Sequence, residues 1–421
     1  MREIKPRSSL NATVGIPGSK SITHRALIAA GLAKGKSLLS EALYCEDTLC
    51  TINGLRELGI TISTRGNKMK VLGTGGEFHP SAGIRDIYLG NAGTSYRLLL
   101  ATVALARGHY MLTGTARMRE RPIGDLVRAL NELGVEASCT GHNGFPPVSI
   151  NARGVRGGKA AIEGNKSSQY LSSLLLAAPY TRNGVEIEVK GRLVSRPYVD
   201  VTVDVMKRFG VIVNRDRYRH FKITSGQMYQ SCQFKIEGDV TNASYFWAAA
   251  AVTGGSVTTE NVYPLTTNQG DISFLDILEE MGCRVERDAG RVVVHGGALS
   301  GIEADMDSMP DMVPTLAAIA LFANGDTVIR NVSHLRHKES NRLRAIALEW
   351  NKLGGRVEEL ADGLIIHGGG GLSGAAVESH NDHRLAMSLA VVGLRVPGIK
   401  IKDDNCVNKS FPGFWELWDK L

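Results

Sequence analysis

The feature that most constrains this chain is a repeated junction. A helical stretch runs through Leu, Phe or Met into glycine and then directly into a strand-forming run. It occurs in INGLRELGITIS, LVRALNELGVEAS, VDVMKRFGVIVN, LDILEEMGCRVE and ALEWNKLGGRVEE, around Gly59, Gly134, Gly210, Gly282 and Gly354, at intervals of 75, 76, 72 and 72 residues. Spacing this regular marks an internal repeat, and the switch from helical to strand patterning makes each repeat an α/β unit. Each glycine is expected just past a helix end, in the left-handed conformation that lets the chain turn into the strand.

A second series keeps step with the first. PGSKSITHRA (17–26), GNAGTSYR (90–97), GNKSSQYL (164–171), GDVTNASYF (238–246), MPDMVPTL (309–316) and SHNDHRLA (379–386) each open an Ala- and Leu-rich helix from a polar turn. Helices without a polar face are buried on nearly all sides. VEIEVKG, FKITSG, RVVVHGG and GLIIHGG alternate or run apolar, as half-buried strands do. The fold class is therefore α/β, six copies of one unit, with three copies in each of two similar domains. The amphipathic helix missing from the sixth copy is expected from the C-terminal FPGFWELWDKL, beside the N-terminal REIKPRSS. Both termini then belong to one discontinuous domain, 1–15 plus 230–421, with a second domain inserted at 16–229. The chain crosses near Val14–Ser19 and near Ser225–Gln233.

The formal charge of +7 is spread along the chain, mostly beside Gly/Ser/Asn turns rather than in a run or helix stripe. That pattern favours a small anionic substrate over nucleic acid. Cys45, Cys50, Cys139, Cys232, Cys283 and Cys406 form no CxxC pair or metal-ligand cluster, and read as reduced thiols of a cytoplasmic protein. No apolar run is long enough for a bilayer, and the first residues lack the apolar core of a signal peptide. GTGG (73–76) and HGGGG (367–371) lack the strand–loop–helix context of a nucleotide site, and no spacing suggests a metal.

If six buried helices aim their N-termini at an interdomain cleft, their orphan N–H groups and dipoles converge on one anion. At about 0.3–1 kcal/mol each, the dipoles supply on the order of 2–6 kcal/mol. Micromolar binding needs roughly 8 kcal/mol, so cations must add to them. The turns carry Lys20, Arg25, Arg97, Lys166, His383 and Arg384. Arg117, Arg121, Arg192, Arg196, Arg336, Lys338, Arg342, Arg344 and Lys409 flank them. The fourth turn has Asp239 and no base, as a structural counterpart would. Asp311 and Glu339 are the acidic candidates. A carboxylate among cations is ordinarily an ion-pair partner, but one at a turn facing a cleft can move a proton. His383 has a structural reading as well.

PGSKSITHRA, GNAGTSYR, RMRERPIGDL, KSSQYLSSLLLA, LVSRPYVDVT, the Pro-Asp before Met312, HKESNRL, NDHRLAMS and NKSFPGF, taken in order, closely resemble the 5-enolpyruvylshikimate-3-phosphate synthase (3-phosphoshikimate 1-carboxyvinyltransferase) family. The resemblance covers essentially the whole chain. It implies two domains of three α/β units, with buried parallel helices and outer sheets in an inside-out barrel, and an active site in the interdomain cleft. It also implies transfer of the enolpyruvyl group of phosphoenolpyruvate to the 5-hydroxyl of shikimate 3-phosphate, releasing phosphate through a tetrahedral intermediate. No metal or organic cofactor, nucleic acid or membrane partner is implied, and the expected form is a cytoplasmic monomer.

Position by position, the resemblance implies that Lys20, Ser21, Arg25, Ser167, Ser168, Gln169, Ser195, Tyr198, Asp311 and Lys338 bind shikimate 3-phosphate. Lys20, Gly93, Thr94, Arg117, Gln169, Arg342, Arg384 and Lys409 would bind phosphoenolpyruvate. Asp311, Glu339, Lys20 and His383 would carry the chemistry. His334 stands where many members have Asn, and Leu98 where many have Pro. The rival with the same fold and donor is UDP-N-acetylglucosamine 1-carboxyvinyltransferase, whose usual cysteine is missing from Thr113–Pro122. A rival of another class is a non-catalytic polyanion-binding protein.

Overall fold

The repeats share one plan, seen most plainly in the second. An edge strand, Ile84–Tyr88, leads into an inner helix, Gly93–Ala104, and the next strand, Arg107–Thr113, returns parallel to the first. An outer helix, Gly124–Glu132, and an antiparallel hairpin, Glu136–Cys139 with Val148–Arg153, complete a four-stranded sheet. The structure, a computed structural model, describes residues 1–78 and 83–421. The chain divides into two compact units, Met1–Pro17 with Glu237–Leu421, and Gly18–Ile236.

In the inserted unit the third repeat builds the sheet of Gly158–Glu163, Val185–Lys190, His220–Ile223 and Asn214–Asp216. The first repeat has no strand of its own before its inner helix. Gln233–Lys235, from the far end of the unit, fills that edge and pairs in parallel with Lys34–Ser40. The discontinuous unit does the same with Asn11–Gly15, which pairs in parallel with Ser256–Glu260. Each crossing thus falls between an edge strand and the inner helix that follows it. The division at Ile236 comes seven residues later than the sequence suggested, because residues 230–236 carry the strand that closes the first sheet. Ile16 and Pro17 likewise stay with the discontinuous unit, where Ile16 packs in its core.

The last repeat is abbreviated. Ala376–Glu378 runs parallel to Lys400–Lys402, and N-terminal Arg2–Glu3 pairs antiparallel as the third strand. The helix Phe414–Trp418 packs an aromatic cluster beside it. Phe414 stacks on Trp418 at 5.1 Å, and Arg2 lies 4.5 Å over the ring of Trp415.

Each unit has its own apolar core built around its inner helices. In the discontinuous unit every residue of Val240–Thr253, Val313–Ala320 and His383–Gly393 is buried. Several polar groups inside the helices are paired: His24 Nδ1 lies 2.7 Å from Thr51 Oγ1, which donates to Ser95 Oγ at 2.9 Å, and Trp247 Nε1 donates to Thr259 Oγ1 at 2.9 Å. A buried polar group without a partner would cost the desolvation such bonds offset. Five outer helices end as the repeated junction requires, with Gly59, Gly134, Gly210, Gly282 and Gly354 at φ of +86°, +86°, +86°, +109° and +82°. The repeat reaches side-chain detail. Asn131 and Asn351, each three residues before its glycine, clasp the backbone of Ala137 and Val357 with the same pair of hydrogen bonds. Among the described residues no helix is long and apolar enough to cross a membrane.

Candidate active site

The inner helices of the inserted unit are buried except at one residue each. Ser21 in Lys20–Leu32, Thr94 in Gly93–Ala104 and Gln169 in Ser168–Ala177 alone are not buried, and each is second in its helix. A helix start brings the chain to the surface with its first N–H groups unpaired, so this turn is where a buried helix can meet a ligand. Two of the three starts are joined. Gln169 Nε2 donates to Thr94 Oγ1 at 3.0 Å, and Arg97 Nη1 donates to Gln169 Oε1 at 3.0 Å and to Ser167 Oγ at 3.3 Å. Ser167 also caps its helix by accepting from the Gln169 N–H at 3.3 Å. At the remaining start, Lys20 Nζ is 3.1 Å from Asp47 Oδ2, with both residues buried.

Arg25 and the Ser195–Tyr198 segment come together beneath these starts. Arg25 Nε donates to Thr202 Oγ1 at 2.7 Å, Nη1 to the Ser21 carbonyl at 2.8 Å and Nη2 to the Tyr198 carbonyl at 3.1 Å. Burial pulls its guanidinium down to about 10, so it stays charged at neutral pH. Ser195, at φ +53°, takes the left-handed turn that starts the helix Pro197–Arg208. Such backbone in a residue other than glycine costs roughly 1–3 kcal/mol and persists where its surroundings enforce it. Gly93 faces Arg121: a Cβ there would come within 2.4 Å of its guanidinium, which donates to Asn91 Oδ1 at 3.2 Å and to the Asn91 carbonyl at 3.1 Å. Arg117 pairs with Glu120 at 2.8 Å, and Lys166 with Asp125 at 2.7 Å. Arg119 is exposed.

The discontinuous unit arranges its predicted residues around a buried arginine. Arg342 opens the outer helix Arg342–Lys352 and is 1% exposed. It donates to Asp311 Oδ1 at 2.8 Å, to Glu339 Oε2 at 2.7 Å and to Asp382 Oδ2 at 2.8 Å. Arg384, second residue of the inner helix His383–Gly393, donates to Asp311 Oδ2 at 2.7 Å, and Lys338 Nζ is 3.7 Å from Asp311 Oδ1. Burial alone would raise the Asp311 carboxyl. Arg384, Lys338 and Arg342 overcome that and hold it well below the usual carboxylate range. Burial opposes the charge of Arg342, but Asp382, Glu339 and Asp311 raise its pKa further. Asp311 keeps 15% of its side chain exposed and Glu339 9%, so a ligand can reach both, whereas Asp382 has none exposed.

Two consecutive left-handed residues, His380 at φ +52° and Asn381 at φ +53°, set the turn ahead of Arg384. Glu349 clamps it, accepting from the Glu378 N–H at 2.9 Å and Lys352 Nζ at 2.8 Å, with Oε1 also 2.7 Å from His380 Nε2. His383 is buried with Nδ1 3.8 Å from Asp382 Oδ1, and Lys409 is buried at the end of the turn Asp404–Lys409. Burial, reinforced by Lys338, pushes His334 down to about 3, so it is neutral at physiological pH. Arg336 is bound to Glu359 and to the carbonyls of Leu360 and Ala361, and Arg344 lies 3.7 Å from Glu359, which gives both a structural role.

Asp47 and Asp382 escaped the sequence reading, although each touches a predicted site residue. The readable signal for Asp382 was its place before a helix, where Asp caps; its carboxylate accepts from the Arg384 N–H at 3.1 Å. Asp47 carried no such signal, since only the fold brings it to Lys20.

Helix starts suited to an anion and carboxylates held by arginine are thus set on one repeated α/β unit. The solved EPSP synthase from Acinetobacter baumannii matches with a TM-score of 0.82 at 28% identity, covering 99% of this chain and 97% of that one. The model of the EPSP synthase (3-phosphoshikimate 1-carboxyvinyltransferase) family matches residues 4–418. The 3-phosphoshikimate 1-carboxyvinyltransferase of a Sulfurovum species is 42% identical over 421 residues, covering 99% of this chain and 98% of that protein. Those of Trichormus variabilis and Methanoculleus marisnigri are each 45% identical, over 98% and 97% of this chain and 96% of either relative. The chain belongs to the 3-phosphoshikimate 1-carboxyvinyltransferase family.

Proposed function

We propose that this chain transfers the carboxyvinyl group of phosphoenolpyruvate to the 5-hydroxyl of shikimate 3-phosphate, with the two units taking different parts of the work. The observation that carries this reading is Asp311 held between Arg342 and Arg384, with Glu339 on the same Arg342. Both substrates are anions, so their approach must be offset by fixed cations in a site of low dielectric.

Lys20, Ser21, Arg25, Ser167, Ser168, Gln169, Ser195, Tyr198 and Lys338 bind shikimate 3-phosphate in this reading. Arg25 has five N–H donors and gives three bonds to protein oxygens, so it grips substrate with those that remain. Gly93, Thr94, Arg117, Gln169, Arg342, Arg384 and Lys409, with Lys20, bind phosphoenolpyruvate.

The hydroxyl oxygen attacks C2 of the donor while C3 gains a proton, giving the tetrahedral intermediate. Loss of phosphate from C2 and of a proton from C3 restores the double bond in the product. Asp311 accepts the hydrogen bond of the 5-hydroxyl. It is a weak base while Arg342 and Arg384 serve it alone, and becomes a stronger one as the donor's carboxylate and phosphate draw on the same guanidiniums. Glu339 and Lys20 move the C3 protons, with Lys20 held in place by Asp47 and His383 supporting the site. The reading extends to a cytoplasmic monomer, supported for the compartment by six cysteines that form no disulfide. Sedimentation at micromolar concentration tests the monomer.

The direct test is phosphate release with both substrates and with each omitted. Strict dependence on both is expected. Release with UDP-N-acetylglucosamine in place of shikimate 3-phosphate would overturn the acceptor.

A further inference from the structure

Asp271 is a buried carboxyl that the proposed reaction leaves unused. It sits in the short turn Gly270–Ser273 and is 4% exposed. Its Oδ2 is bonded to the hydroxyl of Thr241, while Oδ1 is buried with no hydrogen-bond partner among the described residues. A bare buried oxygen penalises the charged form far more than the neutral one. Burial, then the nearby charge of Asp311, push this carboxyl up to about 7, with Asp239 adding to them and Thr241 and Arg384 opposing.

Thr241 and Tyr245 are four residues apart in the inner helix Val240–Thr253, so they lie one above the other on the same face. Asp271 holds the first. The hydroxyl of the second accepts from Arg384 Nη1 at 3.5 Å, and the other end of that guanidinium holds Asp311. The charged groups that act on Asp271 are Asp311 from the turn Pro310–Met312, Arg384 from His383–Gly393, and Asp239 from the cap of the Val240–Thr253 helix.

We propose that Asp271 is a positioning residue whose proton keeps Arg384 available to the donor anion. Neutral, it leaves Arg384 to Asp311 and the incoming substrate. Ionised, it adds a competing negative charge beside the same guanidinium and weakens donor binding. The inference rests on Arg384 being a ligand of phosphoenolpyruvate.

The test is the KM for phosphoenolpyruvate between pH 6 and 9 for the unmodified enzyme, Asp271→Asn and Thr241→Val. Substrate ionisation is common to all three and cancels in the comparison. The unmodified enzyme is expected to show KM rising above about pH 7, by up to about tenfold per pH unit. Asp271→Asn loses this rise and keeps its rate at pH 6.5. Thr241→Val moves the rise to higher pH, because the hydroxyl bond favours the ionised carboxyl. Profiles for both variants that superimpose on the unmodified one overturn the proposal, and if Asp271→Asn fails to fold, Thr241→Val decides alone. Absence of turnover by the unmodified enzyme at pH 6.5 sinks the functional reading itself, whereas turnover with an unmoved rise sinks only the role of Asp271.

Discussion

The two units repeat one plan, yet their inner helices begin in opposite ways. In the inserted unit each start leaves one small or amide side chain unburied, Ser21, Thr94 or Gln169. In the discontinuous unit the three inner helices are buried throughout, and the surrounding turns are sealed by carboxylate–arginine bonds. An open start offers N–H groups and hydroxyls of the kind that suit an anion. One tied by arginine fixes the position of its carboxylates. In the proposed reading both units hold the substrates, while the carboxylates that handle protons, Asp311 and Glu339, come from the discontinuous unit and Lys20, with its Asp47 partner, from the inserted one.

The largest effect that could break this contrast lies in the discontinuous unit. Glu339→Gln is expected to lower kcat by about 100- to 10,000-fold, with substrate affinity measured by titration nearly unchanged. Asp311→Asn belongs to the same range; if it abolished turnover while Glu339→Gln left it intact, the assignment of the C3 proton would be wrong. Next comes Arg342→Ala, which strands Asp311, Glu339 and Asp382 without their shared cation. Denaturant unfolding should show a loss of about 3–5 kcal/mol, as breaking a buried pair by removing one partner does. In the inserted unit the effects are smaller and fall on binding. Gln169→Ala removes the link between two helix starts, costs about 1–1.5 kcal/mol of donor affinity, and shows as a raised KM with kcat nearly retained.

The contrast also has a pH signature. Asp311, lowered in the folded state, contributes stability that is present above the unfolded carboxyl value and lost as pH falls through its own. Asp271, raised to about 7, has the opposite sign: its contribution is full below the unfolded value and is lost as pH rises through about 7. Unfolding free energies at pH 4.5 and 7.5 should therefore fall less for Asp271→Asn than for the unmodified chain. The smallest effect is Gly93→Ala. Its Cβ would come within 2.4 Å of the Arg121 guanidinium and push it from Asn91, so the unfolding free energy should fall by about 0.5–1 kcal/mol, the worth of a weakened hydrogen bond, while donor KM rises.

The repeat, the buried helices and the glycine junctions were legible in sequence because each has a local cause. Helix periodicity, the absence of a polar face and the left-handed turn at Gly59 or Gly354 need only neighbouring residues. The edge strands were harder. Gln233–Lys235 is three residues long and is defined by its partner Lys34–Ser40, almost two hundred positions away, so nothing local assigns it to the inserted unit. The same limit applies to the site. Asp311, Glu339 and Arg384 stand at helix starts whose signals are local. The Asp47–Lys20 pair and the Thr241–Asp271 contact exist only after three-dimensional packing. Arg336 and Lys166 show the converse, cations that looked available in sequence and are bound to Glu359 and Asp125 in the fold.

The division of labour is tested most directly by proton exchange. With both substrates saturating in deuterated water, the unmodified enzyme should place deuterium on C3 of phosphoenolpyruvate and of the product. Gln169→Ala, given enough substrate, should still do so. Glu339→Gln, shown by titration to bind both substrates, should not. Exchange that survives in Glu339→Gln but vanishes in saturated Gln169→Ala would contradict the account.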